Sequence, residues 1–205
     1  MTERLKPPRA LYCEFPLGRP LGVPGDPAFQ RRVLDAAFAL LERRSGPVLE
    51  DFLDKIDDAG VEPVACPLPP HLDPSLPEAV DEAIALRPAY NRQLQRTGRT
   101  VVGKVLGPDQ IPEAIGVLVR LVESGSWQEL SKLGNPRLVA QDIRGYYEEA
   151  AMELADHTPA AHATEAWFYQ NTVTGRLMLD VIRVMKHGGA PPPDWSFLVP
   201  RNFQT

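Results

Sequence analysis

Two constellations in this 205-residue chain have residue types and spacings that could do chemistry. The first is the loop Pro16-Leu-Gly-Arg-Pro-Leu-Gly-Val-Pro-Gly25, preceded by Cys13 and Glu14. Its glycines, Gly18 and Gly22 among them, can aim backbone N–H groups at an anion, while Arg19 adds a guanidinium and the following helix its dipole. Cys13 is the candidate nucleophile, a role that needs a nearby cation or helix N-terminus to lower its pKa. Two features oppose this reading. Asp26 would repel a phosphate at the helix start, and the spacing matches neither the dinucleotide nor the P-loop fingerprint. A rigid connection and a buried, inert thiol are the plainer alternatives.

The second constellation is Glu149, Glu153 and His157, at i, i+4 and i+8 along one helical face, with His162 and Glu165 following on the next helix. Carboxylates and imidazoles facing each other across antiparallel helices are how helical bundles hold iron or manganese, and zinc accepts the same donors. The di-metal pattern wants Glu-x-x-His on two helices. Here the elements read Glu-x-x-x-His and His-x-x-Glu, so a solvated acidic face is the competing reading. A third feature is the polar run Gln170, Asn171, Thr172 and Thr174, which with Trp167 and Tyr169 would line a pocket or simply face solvent.

The elements that must position these residues divide at proline. The chain has 22 prolines, about twice average usage. Ala10–Phe15 predicts a short strand. Asp26-Pro27 predicts a helix start, with Asp as N-cap and Phe29, Val33, Ala37, Leu40 and Leu41 as the apolar stripe. Pro47–Phe52 predicts a second strand. Residues 1–56 thus form a βαβ-like piece too small to fold alone, and residues 57–75 a proline-rich connector.

Residues 76–205 predict a helical domain of about five helices. Ser75-Leu-Pro-Glu78 reads as a capping box on a helix ending before Pro88, and Ser126-Trp-Gln-Glu129 as another. Residues 88–107 give no decisive pattern. Helices follow over Pro108–Glu123, over Asn135 to about Ala155, and as one long central helix from Thr158 to about Lys186. The expected fold class is mostly α with a small βαβ-like start. Beyond it, a tail with Trp195, Phe197, Leu198 and Val199 should run extended and dock in a groove on its own bundle or on a neighbour.

Composition narrows the function classes. Lys plus Arg is 22 against 27 for Asp plus Glu, a net charge of −5, so no basic surface for nucleic acid is expected. Hydrophobic residues at 43% exclude wholesale disorder. No apolar run approaches the roughly 18 residues of a membrane span, and the start has no apolar leader segment, so a cytoplasmic protein is expected. Two cysteines, Cys13 and Cys66, with no Cys-x-x-Cys pair, predict no stapling disulfide.

The segment Tyr12-Cys-Glu-Phe-Pro-Leu-Gly-Arg-Pro-Leu-Gly-Val-Pro-Gly-Asp-Pro-Ala-Phe-Gln30, with the following helix to Leu41 and the Gly46-Pro-Val48 step, resembles the closing segment of a reductase family. The family is that of the substrate-binding B component of glycine, betaine, sarcosine and D-proline reductases (selenoprotein B-like). The resemblance covers residues 10–52. Members cleave their substrate with a selenocysteine or cysteine in a short Cys-Gly-Ser-Cys-like motif, which this chain lacks, since Cys66 is followed by Pro-Leu-Pro. The resemblance therefore implies a small subunit that completes a larger catalytic subunit bearing the thiol or selenol. Cys13, Glu14, Gly18, Arg19 and Gly22 would lie near a small polar organic substrate. A stand-alone metalloenzyme and a non-enzymatic helical adaptor are the alternatives.

Overall fold

The computed structural model describes residues 2–15, 19–56, 66–70, 72–157, 159–160 and 162–204, and the chain divides into two compact units, Met1–Val61 and Glu62–Thr205. The fold is mostly α with a small βαβ-like start.

In the first unit a four-residue helix α1 (Thr2–Leu5) precedes β1 (Arg9–Cys13), α2 (Pro27–Ala39) and β2 (Val48–Phe52). The strands pair in parallel, with Arg9 opposite Val48 and Cys13 opposite Phe52. Helix α2 begins where the Asp-Pro step places it, the Asp26 carboxylate accepting the Phe29 N–H at 2.9 Å. It buries Phe29 and Val33; in the 3-10 turn that follows, Leu40 is buried, but Leu41, expected on the same stripe, is 67% exposed. Phe15, Phe29 and Phe52 meet with ring centroids 5.7 to 6.0 Å apart. Arg9 ties the strand to the end of the helix through the Leu40 and Arg43 carbonyls.

The second unit is a bundle of α3 (Glu78–Thr97), α4 (Ile111–Ser124), α5 (Pro136–Leu154), α6 (Ala163–Asn171) and α7 (Val173–His187), with a short α8 (Pro192–Trp195) in the tail. Three expectations are corrected here. First, neither predicted capping box forms: Ser75 bonds Asp73 instead, Ser126 makes no side-chain cap, and the segment after it is a 3-10 run, Trp127–Leu133. Second, α3 passes through Pro88 rather than stopping before it. A mid-helix proline costs about 3 kcal/mol, but Leu86, Ala89 and Tyr90 on both sides of it are buried, and Tyr90 stacks on Tyr146 at 4.7 Å. Burying that continuous face outweighs the lost backbone bond. The interval 88–107 thus resolves into the second half of α3, a left-handed Gly98 cap and a loop.

Third, the long final helix is two. Thr172 interrupts it: its hydroxyl donates to the Phe168 carbonyl and accepts the Gly175 N–H, capping α7 as α6 ends. Gly175 is required there, because a Cβ would stand 1.9 Å from the Phe168 carbonyl oxygen. The orphaned N–H groups of Val173 and Thr174 are taken by the buried Glu82 carboxylate of α3, at 2.8 and 3.0 Å. The tail folds back on its own unit, burying Leu198 and Val199, and forms α8 and a 3-10 turn where an extended chain was expected. A row of rings, Tyr90, Tyr146, Tyr147, Phe168, Tyr169 and Phe203, runs from α3 to the tail with neighbouring centroids 4.7 to 5.9 Å apart.

The loop between α3 and α4 is fixed by one side chain. Asp142, fully buried on α5, accepts four successive backbone N–H groups, those of Gly103, Lys104, Val105 and Leu106, at 2.8 to 3.1 Å. Burial alone would raise its pKa, but the four donors outweigh burial and hold the carboxyl below its ordinary 3.8. A depressed carboxyl stabilises the fold fully above its unfolded pKa, and that stability drains away as pH falls through the folded value. Asp142→Asn, with one acceptor for four donors, should therefore lose about 2–4 kcal/mol at pH 7. The gap between the two proteins should narrow below about pH 4. Urea denaturation at pH 7, 5 and 3.5 measures both.

Candidate functional site

The residues expected around a ligand loop lie at the end of β1 and in the approach to α2. Gly18 lies outside the described residues. The described part of the loop spends its donors on itself. Gly22 N–H donates to the Arg19 carbonyl at 3.0 Å, Asp26 N–H to the Val23 carbonyl at 3.3 Å, and Gln30 Nε2 to the same carbonyl at 3.0 Å. The start of α2, where an anion would sit, carries the Asp26 carboxylate already. Gly22, at φ +87°, presses against the Phe29 ring, and a Cβ there would lie 2.1 Å from a ring carbon. A glycine is required there by packing as well as by backbone conformation. Glu14 pairs with Lys55 at 2.9 Å, both well exposed.

Cys13, at the end of β1, is half-buried. Burial pushes its thiol above the ordinary value, whereas attack requires the thiolate. Cys66, buried against the Ala151 carbonyl at 3.4 Å, is pushed up to about 11 by burial and by the nearby Asp156 charge.

The five candidate metal ligands go to separate tasks. Glu149 accepts the Val101 N–H at 2.7 Å and the Thr100 hydroxyl at 2.8 Å, fixing the turn after α3. Glu153 pairs with Arg92 and Arg96 at 3.2 and 3.3 Å. His157 Nδ1 bonds Asp156 at 2.6 Å. His162 and Glu165 meet at 3.3 Å, and Glu165 also takes Arg144 at 2.9 Å. Among the described residues no group of three or more His, Cys, Asp or Glu side chains could hold a metal ion. Arginines of α3 and α5 occupy Glu153 and Glu165, and the turn after α3 occupies Glu149, so these carboxylates do not converge. Arg96, Glu153, Asp156 and His157 line a polar cleft of about 410 Å³ whose charges are already paired in this way. His71 lies outside the described residues, and His187 sits in the last turn of α7, where a cation is favoured.

The polar run of the last helices proves to be the break between α6 and α7. Thr174 is buried with its hydroxyl 2.7 Å from that of Tyr147, Thr172 is buried as the cap, and Gln170 and Asn171 face solvent. Trp167 and Tyr169 belong to the core.

What the first unit does offer is uncovered apolar surface. Alternation along the strands puts Cys13 and Phe52 on the α2 side and Ala10, Tyr12, Leu49 and Asp51 on the other. On that other side Tyr12 is 55% and Leu49 41% exposed, with Leu53 at 84% just beyond the strand. The sheet has two strands only, so both outer edges are unpaired among the described residues. Helix α2 adds exposed Leu34 and Phe38. Strand periodicity alone would have separated the two faces; what covers each is a matter of tertiary packing.

Comparison with protein-family models, curated proteins and solved structures gives no match to this chain.

Two outcomes follow for the native chain. Alkylation by iodoacetamide at pH 8 should modify Cys13 and Cys66 more slowly than free cysteine, and denaturant should abolish the difference. Gly22→Ala should destabilise the first unit by about 1–3 kcal/mol through overpacking against Phe29, read as faster amide exchange over β1 and α2.

Proposed function

We propose that this chain is a docking subunit of a hetero-oligomeric, reductase-like enzyme of the cytoplasm. Its first unit completes the sheet of a larger subunit that bears the reactive thiol or selenol and acts on a small polar organic substrate. The observation that carries the docking role is the parallel strand pair with a helix on one side and Tyr12, Leu49 and Leu53 bare on the other. Parallel strands are ordinarily covered on both faces, and a two-stranded sheet is marginal alone. Burying each such side chain fully is worth about 1.5–3 kcal/mol, so a partner layer supplies what this unit lacks. Open strand edges offer the partner backbone groups for β-augmentation. The reductase assignment rests on the resemblance over residues 10–52. A supporting role, with the chemistry on the other chain, fits a Cys13 thiol pushed toward its inactive protonated form.

Co-expression with candidate subunits that bear a selenocysteine or reactive cysteine tests this. The wild-type chain should co-purify with such a subunit and raise its substrate reduction. Tyr12→Asp with Leu53→Asp should cut co-purification at least about tenfold, since a charge opposes burial in an apolar interface. The variant's own melting temperature should stay within about 2 °C, as both sites are exposed. A chain that stays monomeric with every such subunit, or a complex indifferent to the two substitutions, overturns the reading. A complex whose activity is the same without this chain makes it an adaptor.

A further inference from the structure

The helical unit carries a second, unrelated concavity. The segment after α8 crosses α5, and between them lies a pocket of about 230 Å³ lined by Arg144, Ser196, Phe197, Val199, Pro200 and Arg201. Its volume equals that of about eight waters, which suits one ring or branched chain with a polar head.

The walls divide by chemistry. Phe197, Val199 and Pro200 are apolar, and Phe197 is 63% exposed, an unusual placement for so large a ring. Arg137 stacks its guanidinium on the Phe197 ring at 5.1 Å from the centroid, fixing the ring as a wall. Ser196 adds a hydroxyl. On the inner side, Arg144 is held between Glu148 at 3.4 Å and Glu165 at 2.9 Å, with the Tyr169 hydroxyl also bonded to it. Arg201, on the outer side, is exposed and makes no ion pair among the described residues.

The charged residues of the lining point to the ligand class. Two guanidiniums line the pocket: Arg144, whose charge Glu148 and Glu165 already answer, and Arg201, which has no ion-pair partner among the described residues. A planar guanidinium fork with no carboxylate of its own, beside an apolar wall, recognises a carboxylate on a compact hydrophobic body. We propose that this pocket binds a small monocarboxylate with an aromatic or branched apolar body, its carboxylate on Arg201 and Ser196 and its body against Phe197, Val199 and Pro200. The site is independent of the docking reading, because every residue in it belongs to the helical unit.

Benzoate is the probe and benzyl alcohol its uncharged counterpart, titrated into the isotopically labelled full-length chain and followed by NMR of backbone amides and arginine Nε–H groups. Benzoate should give saturable shifts centred on residues 196–201, with an affinity at least about tenfold above that of benzyl alcohol, because a charge-assisted contact is lost in the alcohol. Arg201→Gln, at an exposed position, should leave the rest of the spectrum unchanged and weaken benzoate by about fivefold or more. Phe197→Ala should weaken both probes. Three results overturn the proposal: benzoate shifts that do not saturate or that scatter over other arginines, equal affinity for the alcohol, or undiminished binding by Arg201→Gln.

Discussion

A single carboxylate, Asp142, sets the geometry of the helical unit. Four consecutive N–H groups, from Gly103 to Leu106, converge on its two oxygens. Such a concave run of donors ordinarily receives a foreign anion; here the anion is covalently part of α5. The consequence is positional. The loop that carries the chain from α3 to α4 is pinned to the middle of α5, so α4 can enter the core only at the height where Ile111 and Ile115 meet the other helices. Leaving the buried Asp142 carboxylate without these four donors would cost more than any single apolar contact in the bundle supplies.

The same device recurs at other places where the chain changes direction. Asp81 takes the N–H groups of Leu72 and Asp73 ahead of α3, Glu82 takes those of Val173 and Thr174 at the α6–α7 break, and Glu149 takes that of Val101. Carboxylates that the sequence offers as catalytic or metal-binding candidates are therefore committed to backbone donors or to arginines. This separates the two units in character. In the helical unit these carboxylates answer donors of its own backbone, whereas the strand–helix–strand unit leaves apolar side chains and strand edges in solvent.

Local signals carried most of the fold. Asp26-Pro27 and Asn135-Pro136 mark helix starts whose side chains do cap them, and Gly98, Gly125 and Gly134 mark stops. The failures share a cause. Pro88 is a breaker by local rule, yet the packing of Leu86, Tyr90 and Tyr146 lies outside any local window. The α6–α7 break had a local trace in Thr172 and Thr174, but its decisive partner, Glu82, is 91 residues away from Val173. The expected Glu149, Glu153, His157 face is cut short because α5 ends at Leu154, and nothing along α5 announces that Arg92 and Arg96 of α3 stand opposite Glu153. Asp142 offered the one missed signal: a charge set in an apolar stripe between Val139 and Tyr146, where burial without partners would be prohibitive.

The row of aromatic rings from Tyr90 to Phe203 has an optical consequence. Rings packed this closely, and held at fixed mutual tilts, have electronic transitions that mix. The near-ultraviolet dichroism of the chain is then a collective property of the row, reporting in one band whether the outermost ring of the tail is seated against the bundle.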